Sequence, residues 1–350
     1  MNVEHSGERA VGSPPGPETQ GEDMARQDLM GKVAIVTGAS SGVGWQSAVR
    51  LGEAGVKLCV TARRVEALEK LRLQLLERGI ECIAVPGDVT IQGDVDQVVR
   101  ECLAHYGRVD ILVNDAGVQS YGLFDELPWE HITRIFDINC FGFMRFARAV
   151  LPHFRARGSG HILNIQSMLS KGSAPLLSAY SASKHATLGW AKSLELELMG
   201  TGIQVSNVLV PSVDSNMFAH APTMFGLAPK PVPPTYDVDV VARAVVRCAM
   251  RPGRTIVPVF LQGKLMLWLN ELFPWVGKAI MGQWGARLQM REEPVVRPEG
   301  NLFHAIPQGV GPHGPVPPTP LWKRISATAG LAALVGGLVL SVAGLARAAR

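Results

Sequence analysis

At 350 residues and 47% hydrophobic composition, the chain is long enough to bury a substantial core and too apolar for a wholly disordered protein. Its net charge of +4, without a basic block or basic-aromatic interleaving, excludes a nucleic-acid binder. The five cysteines, Cys59, Cys82, Cys102, Cys140 and Cys248, are scattered without metal spacing; they read as buried small residues in a reducing compartment, with neither a disulfide framework nor a metal site expected.

Residues 1–28 are rich in Pro, Gly and acids and lack an apolar stretch, so they read as a disordered leader and not as a signal peptide. The β-branched run at 32–37 predicts a strand that feeds Gly38, Ser40, Ser41, Gly42, Val43 and Gly44, followed by a helical pattern. Strand, glycine turn and helix make a phosphate cradle: the turn brings backbone N–H groups at a positive helix end to a pyrophosphate. A second strand is expected over 56–62. Where an NAD-preferring fold carries an acid for the ribose hydroxyls, this chain has Arg63 and Arg64, which suit a 2′-phosphate and favour NADP(H) over NAD(H). From 32 to 258, β-branched runs alternate with longer helical patterns. The expected fold is therefore α/β, a Rossmann-like doubly wound parallel sheet of about seven strands over a catalytic domain at 29–260. Tyr180 and Lys184, four residues apart on a predicted helix, share a face, and a fixed cation near a phenol draws its pKa down from about 10. The pair reads as an acid/base device.

With these motifs in this order, the sequence resembles the short-chain dehydrogenase/reductase family, in the branch with a TGxxxGxG turn and a YxxxK active site, over roughly residues 31–258. The resemblance implies that Asp88 and Val89 contact the adenine and that Asn114, Ala116 and Gly117, in the run Asn-Asp-Ala-Gly, close the cofactor site. It also implies a catalytic set of Asn139, Ser167, Tyr180 and Lys184. In that set Tyr180 exchanges a proton with the substrate oxygen and Ser167 bonds the same oxygen. Lys184 bonds the nicotinamide ribose and lowers the tyrosine pKa, and Asn139 holds a water that relays protons from Lys184. After 203–209 the family's Pro-Gly pair is replaced by Val210-Pro211-Ser212, leaving Val213 and Ser215 as the expected nicotinamide contacts. The family resemblance also implies a homodimer or homotetramer, and long helices near 129–155 and 179–199 offer interface surface.

Beyond this domain, 261–293 is apolar and aromatic enough to form a helical appendage that packs as core or roofs the substrate cleft, ahead of lying on a membrane, and 294–321 is a Pro/Gly-rich linker. Residues 322–350 carry an uncharged stretch from 325 to 346, about 33 Å as a helix, flanked by Trp322, Lys323 and Arg324 and by Arg347 and Arg350. This terminal apolar helix is expected to anchor the protein in a lipid bilayer with the catalytic domain on the cytoplasmic side. Ala329, Ala333, Gly337 and Ser341 form a small-residue stripe suited to helix pairing. The expected protein is a membrane-anchored NADP(H)-dependent oxidoreductase acting on a carbonyl or secondary alcohol of an apolar, lipid-like substrate. The alternative is a catalytically weak NADP-binding scaffold or redox sensor at a membrane; an intact set of four candidate catalytic residues argues against it.

Overall fold

In the first strand, Val33 and Ile35 point into one buried layer while Ala34 and Val36 point into another, so this short run has apolar partners on both faces. That is the signature of a strand inside a parallel sheet covered by helices on both sides. The structure, a computed structural model, describes residues 28–348, without the side chains of Phe260, Ile280 and residues 338–348. The expected leader thus lies outside the described residues apart from Asp28.

The first half runs β1 (Val33–Thr37), α1 (Gly42–Glu53), β2 (Lys57–Thr61), α2 (Val65–Glu77), β3 (Cys82–Ala84), α3 (Gln92–Tyr106) and β4 (Ile111–Asn114). The second runs α4 (Trp129–Phe136), α5 (Gly142–Arg157), β5 (Gly160–Ser167), α6 (Ser178–Glu197), β6 (Ile203–Val210) and the short α7 (Met217–His220). It continues with β7 (Leu227–Pro229), α8 (Val238–Met250), β8 (Thr255–Ile256), α9 (Phe260–Leu272), α10 (Pro274–Gln289), β9 (Met290–Pro294) and α11 (Leu321–Ala348). Seven parallel strands take the order β3-β2-β1-β4-β5-β6-β8. The order reverses between β1 and β4, which opens a crevice at their carboxyl ends, the place where such sheets bind nucleotides.

One core layer sets Trp45 and Leu51 of α1, Leu68 and Leu71 of α2 and Val241 and Val245 of α8 against the sheet. The other sets Val95 and Val98 of α3, Phe146 and Phe154 of α5 and Leu194 of α6 against the opposite face. Burying each of these large side chains contributes about 1.5–3 kcal/mol relative to exposure. Within the sheet, three asparagines lie side by side: Asn114, Asn164 and Asn207 are register partners on β4, β5 and β6. All three are buried, and the Asn114 amide donates to Asn164 at 3.1 Å while the Asn164 amide donates to Asn207 at 3.5 Å.

Two expectations are corrected beyond the sheet. The region 294–321 does not run as a free linker: β9 pairs antiparallel with β7, and the chain after it is laid across the carboxyl edge of the sheet. The terminal segment does form a helix, α11, but among the described residues no helix is long and apolar enough to cross a membrane. Instead, Val335 and Leu331 of α11 pack with Leu265 and Leu269 of α9, Phe273 at the junction and Val276 of α10. Its alanines and glycines add little apolar area per residue, and the leucines and valines that do are partly spent on this contact. Ser341 of the small-residue stripe falls where side chains are not described.

Candidate active site

The glycine turn is dictated by close approach. Gly38 has φ +68°, and a Cβ there would sit 2.8 Å from Ala116 Cα; a Cβ at Gly44 would sit 2.6 Å from Asp115 Oδ2 and 2.7 Å from the Gly38 carbonyl oxygen. The turn after β1 and the Asn-Asp-Ala-Gly turn after β4 therefore interlock. Thr37 Oγ1 seals them by accepting from the N–H groups of Asp115, at 3.0 Å, and Ala116, at 3.2 Å.

Gly38, Ser40, Ser41, Gly42, Val43, Arg63, Arg64, Asp88, Val89, Ala116, Gly117, Ser167, Tyr180, Lys184, Val213 and Ser215 all border one cavity of about 610 Å³. Asn114, Asn139 and Gly44 lie behind its wall. Asn114 supports β5 through the ladder. Gly44 permits the interlock of the two turns.

Asn139 sits in a single π turn, Asp137–Phe141, inserted between α4 and α5. Its amide nitrogen donates to the Val118 carbonyl at 2.9 Å and to Ser183 Oγ at 3.1 Å, while its Oδ1 accepts from Val118 N at 2.8 Å. The amide thus ties the segment after β4 to Ser183 on α6.

Ser167 ends β5, and its Oγ accepts from Leu169 N at 3.1 Å, which turns the chain toward α6. One helical turn apart on α6, Tyr180 and Lys184 are buried. Lys184 Nζ donates to the Ile165 carbonyl at 3.2 Å and lies 5.1 Å from the Phe143 ring centre and 5.9 Å from that of Tyr180. The expected depression of the Tyr180 pKa is not found in this geometry. Burial pushes the phenol up to about 12, and the facing Ser167 hydroxyl recovers only part of that rise. Burial instead lowers the Lys184 ammonium to about 8, against the pull of Asp115. Asp115 is itself raised to about 7 by burial, with Lys184 and the Gly44 N–H opposing. The charge relationship is therefore between Lys184 and Asp115.

Asp88 is locally employed. Its Oδ1 accepts from Thr90 N at 2.9 Å and from Thr90 Oγ1 at 2.7 Å, and Arg134 pairs with its Oδ2 at 2.8 Å. Burial works to raise this carboxyl, but the Thr90 bonds and the Arg134 and Arg63 charges outweigh it and hold it low. Arg63 and Arg64 reach the cavity but bond no carboxylate among the described residues. Arg63 donates to the carbonyls of Asn301 at 2.6 Å and Leu302 at 3.1 Å, and Arg64 to Ser40 and to the carbonyls of Ile306, Gln308 and Gly309. Burial lowers both guanidinium pKa values.

The far half of the cavity is apolar, with Leu169, Leu177 and Phe218 on one side and Met266, Leu267 and Met281 of α9 and α10 on the other. Three buried polar groups interrupt it without a partner among the described residues: Gln119 Nε2, Tyr121 Oη and Gln166 Nε2. Sequence reasoning passed over them. For Gln119 and Tyr121 a signal existed, because they directly follow the turn at the carboxyl end of β4, where open α/β sheets gather ligand contacts.

A family model described as short chain dehydrogenase matches residues 32–224. An uncharacterized oxidoreductase of Bacillus subtilis, YxnA, is 31% identical over 290 residues, spanning 81% of this chain and 80% of the relative. Among solved structures, an actinorhodin polyketide ketoreductase variant with NADPH is similar with 30% identity and TM-score 0.59, over 65% of this chain and 95% of that one. A 3-ketoacyl-(acyl-carrier-protein) reductase from Brucella melitensis, complexed with NADH, is similar with 26% identity and TM-score 0.58, over 65% of this chain and 97% of that one. Nucleotide crevice, Ser167 beside the buried Tyr180 and Lys184, and these likenesses agree: the chain belongs to the short-chain dehydrogenase/reductase family of oxidoreductases, which act on alcohols and ketones.

Proposed function

We propose that the protein is an NADP(H)-dependent oxidoreductase acting on the carbonyl or secondary alcohol of an extended apolar molecule. The observation that carries this reading is continuity: one cavity runs from Arg63 and Arg64, past Ser167 and Tyr180, into the apolar space between Leu177 and Met266. The residues present fit a dinucleotide. The interlocked glycine turn keeps its backbone N–H groups at the cavity, where a Cβ at Gly38 or Gly44 would break its packing on Ala116 and Asp115, and two half-buried guanidinium groups that bond only neutral oxygens suit a 2′-phosphate. A bound nicotinamide would supply or accept the hydride.

In this reading Tyr180 is the proton donor for carbonyl reduction. A phenol kept protonated by burial is ready to give its proton to an oxygen that becomes more basic as reduction proceeds. Ser167, facing the phenol, bonds and orients the same oxygen. Lys184 holds positive charge beneath the site while bonded to the Ile165 carbonyl, and Asn139 fixes the wall at Val118. The apolar far half selects the substrate: its surface rewards hydrocarbon by about 25 cal/mol per Å² buried.

The test is turnover by the full chain with NADPH or NADH across a series of alkyl ketones and aldehydes of increasing length, cyclic ketones and small polar carbonyls. NADPH should be preferred, and kcat/KM should rise with apolar size. Equal rates on the smallest polar carbonyls would remove the apolar assignment, and equal use of NADH would remove the NADP assignment.

A further inference from the structure

The segment from 301 to 314, separated from Arg63 by more than two hundred residues of chain, lies on the phosphate side of the nucleotide crevice. Leu302 roots its start in the core, fully buried with Phe303 packed beside it, and beyond that point its hydrogen bonds on the phosphate side go to residues expected to serve the cofactor or to their neighbours. Gly42 N, in the glycine turn, donates to the Gly311 carbonyl at 3.0 Å, and Ser41 and Gly311 form a parallel bridge. Arg63 and Arg64 donate to six of its carbonyls, those of Asn301, Leu302, Phe303, Ile306, Gln308 and Gly309, and Arg134 also bonds Leu302. Beside Ser215, the segment is pinned by His313 Nδ1 to Asp214 Oδ2 at 2.7 Å, by Asn216 donating to the His313 carbonyl at 2.8 Å, and by Gly314 N donating to the Asp214 carbonyl at 2.8 Å.

We propose that residues 301–314 are a strap that acts as an internal competitor for the 2′-phosphate subsite, so that an NADP(H) phosphate and the strap's backbone carbonyls take Arg63 and Arg64 in turn. The proposal rests on the assignment of these arginines to the 2′-phosphate. Its physical basis is an exchange of acceptors. The strap contains no Asp or Glu and offers the two cations only uncharged oxygens, whereas a phosphate offers charge-assisted and bidentate bonds roughly twice as strong. The exchange therefore runs in favour of a 2′-phosphorylated nucleotide, while a nucleotide without that phosphate gains nothing from those arginines. Contacts made through backbone carbonyls also suit a displaceable element. Between the buried Leu302 and the His313–Asp214 pin they place little demand on side-chain identity, and Pro and Gly limit the regular structure the segment can form on release.

The seated strap has a point of weakness that permits a clean test. A Cβ at Gly314 would collide with the carbonyl of Ser215, so Gly314→Ala is excluded from the seated position, although alanine is readily accommodated in a released segment. In full-length protein, the Kd for NADPH and for 2′,5′-ADP should fall at least about threefold in Gly314→Ala, with a smaller change for NADH. Unchanged or weakened NADPH binding would overturn the proposal, as would an equal gain for NADPH and NADH, because release of the strap returns the Gly42 N–H to either pyrophosphate but returns Arg63 and Arg64 to the 2′-phosphate alone. Hydrogen–deuterium exchange on the unsubstituted protein gives a second reading. Saturating 2′,5′-ADP should speed exchange at the Gly314 and Gly42 amides relative to 5′-ADP, and slower exchange at Gly314 would make the strap a clamp on bound nucleotide and overturn the proposal. The underlying NADP assignment is judged separately, on the ratio of NADPH to NADH affinity in the unsubstituted protein.

Discussion

Lys184 and Tyr180 are one helical turn apart, yet the lysine gives its hydrogen bond to the Ile165 carbonyl, 3.2 Å away, and stands 5.9 Å from the centre of the tyrosine ring. The two groups thus share a helix face without sharing a proton. Tyr180→Phe should leave NADPH affinity nearly unchanged and lower kcat by at least about a hundredfold, since it removes only the transferable proton. Comparing cofactor titration with turnover on the best substrate checks this; wild-type turnover in the variant would sink the role of Tyr180.

The Lys184–Asp115 relationship has a pH signature. With Lys184 near 8 in the free protein, kcat/KM for carbonyl reduction should decline as pH rises through about 8, where its charge is lost. Asp115→Asn removes a carboxylate that raises the lysine pKa, so this limb should move to lower pH. A pH–rate profile of the variant with an unmoved limb would contradict the coupling. For stability the sign follows from proton counts. Between about 8 and the ordinary 10.5 the unfolded lysine keeps a proton that the folded one has lost, so Lys184 makes stability rise with pH across that window.

Arg63→Asp should weaken NADPH binding by about 1–3 kcal/mol, because a charge-assisted phosphate partner is replaced by a repelling carboxylate. NADH should suffer less. Isothermal titration of both nucleotides decides it, and equal losses would remove the basis for the NADP assignment.

Tyr121 has a buried hydroxyl without a partner among the described residues, on the wall of the cavity that holds Tyr180. Tyr121→Phe should leave the melting temperature unchanged or slightly higher, since it deletes an unsatisfied buried group worth about 1–3 kcal/mol. If substrate oxygen satisfies that hydroxyl, KM should rise severalfold with kcat retained. An unchanged KM across the substrate series would show that the hydroxyl does not meet the substrate.

What could be read in advance divides along a physical line. The run from Val33 to Thr37 and the glycines after it are local patterns whose meaning depends on the backbone alone, and they led directly to β1, α1 and the crevice. The spacing of Tyr180 and Lys184 likewise set a shared face. The direction of the tyrosine shift was not legible, because it depends on burial by residues far along the chain, and burial outweighs the charge that the spacing brings near. The strap was hidden for a related reason: carbonyl contacts leave no side-chain pattern, and a Pro/Gly stretch reads alike whether solvated or laid on a surface. At the C-terminus, the hydropathy of 325–346 could not distinguish a bilayer from the apolar flank of α9, where Leu331 and Val335 lie.

The asparagine ladder of Asn114, Asn164 and Asn207 bears on how this enzyme can change over time. A one-residue slip of any of the three strands would strand amides against hydrocarbon and turn every inward side chain outward. The relative heights of β4, β5 and β6 are thereby keyed deep in the sheet, and with them the places where Gly117, Ser167 and Val213 emerge above it. α6 alone carries Tyr180 and Lys184 to them, and the height of Ser167 and of the cofactor wall then does not depend on the loops and helices of the far half. Those parts, the walls around Leu169, Phe218 and Met266 included, are free to diverge toward new substrates while the chemistry beneath them stays in place.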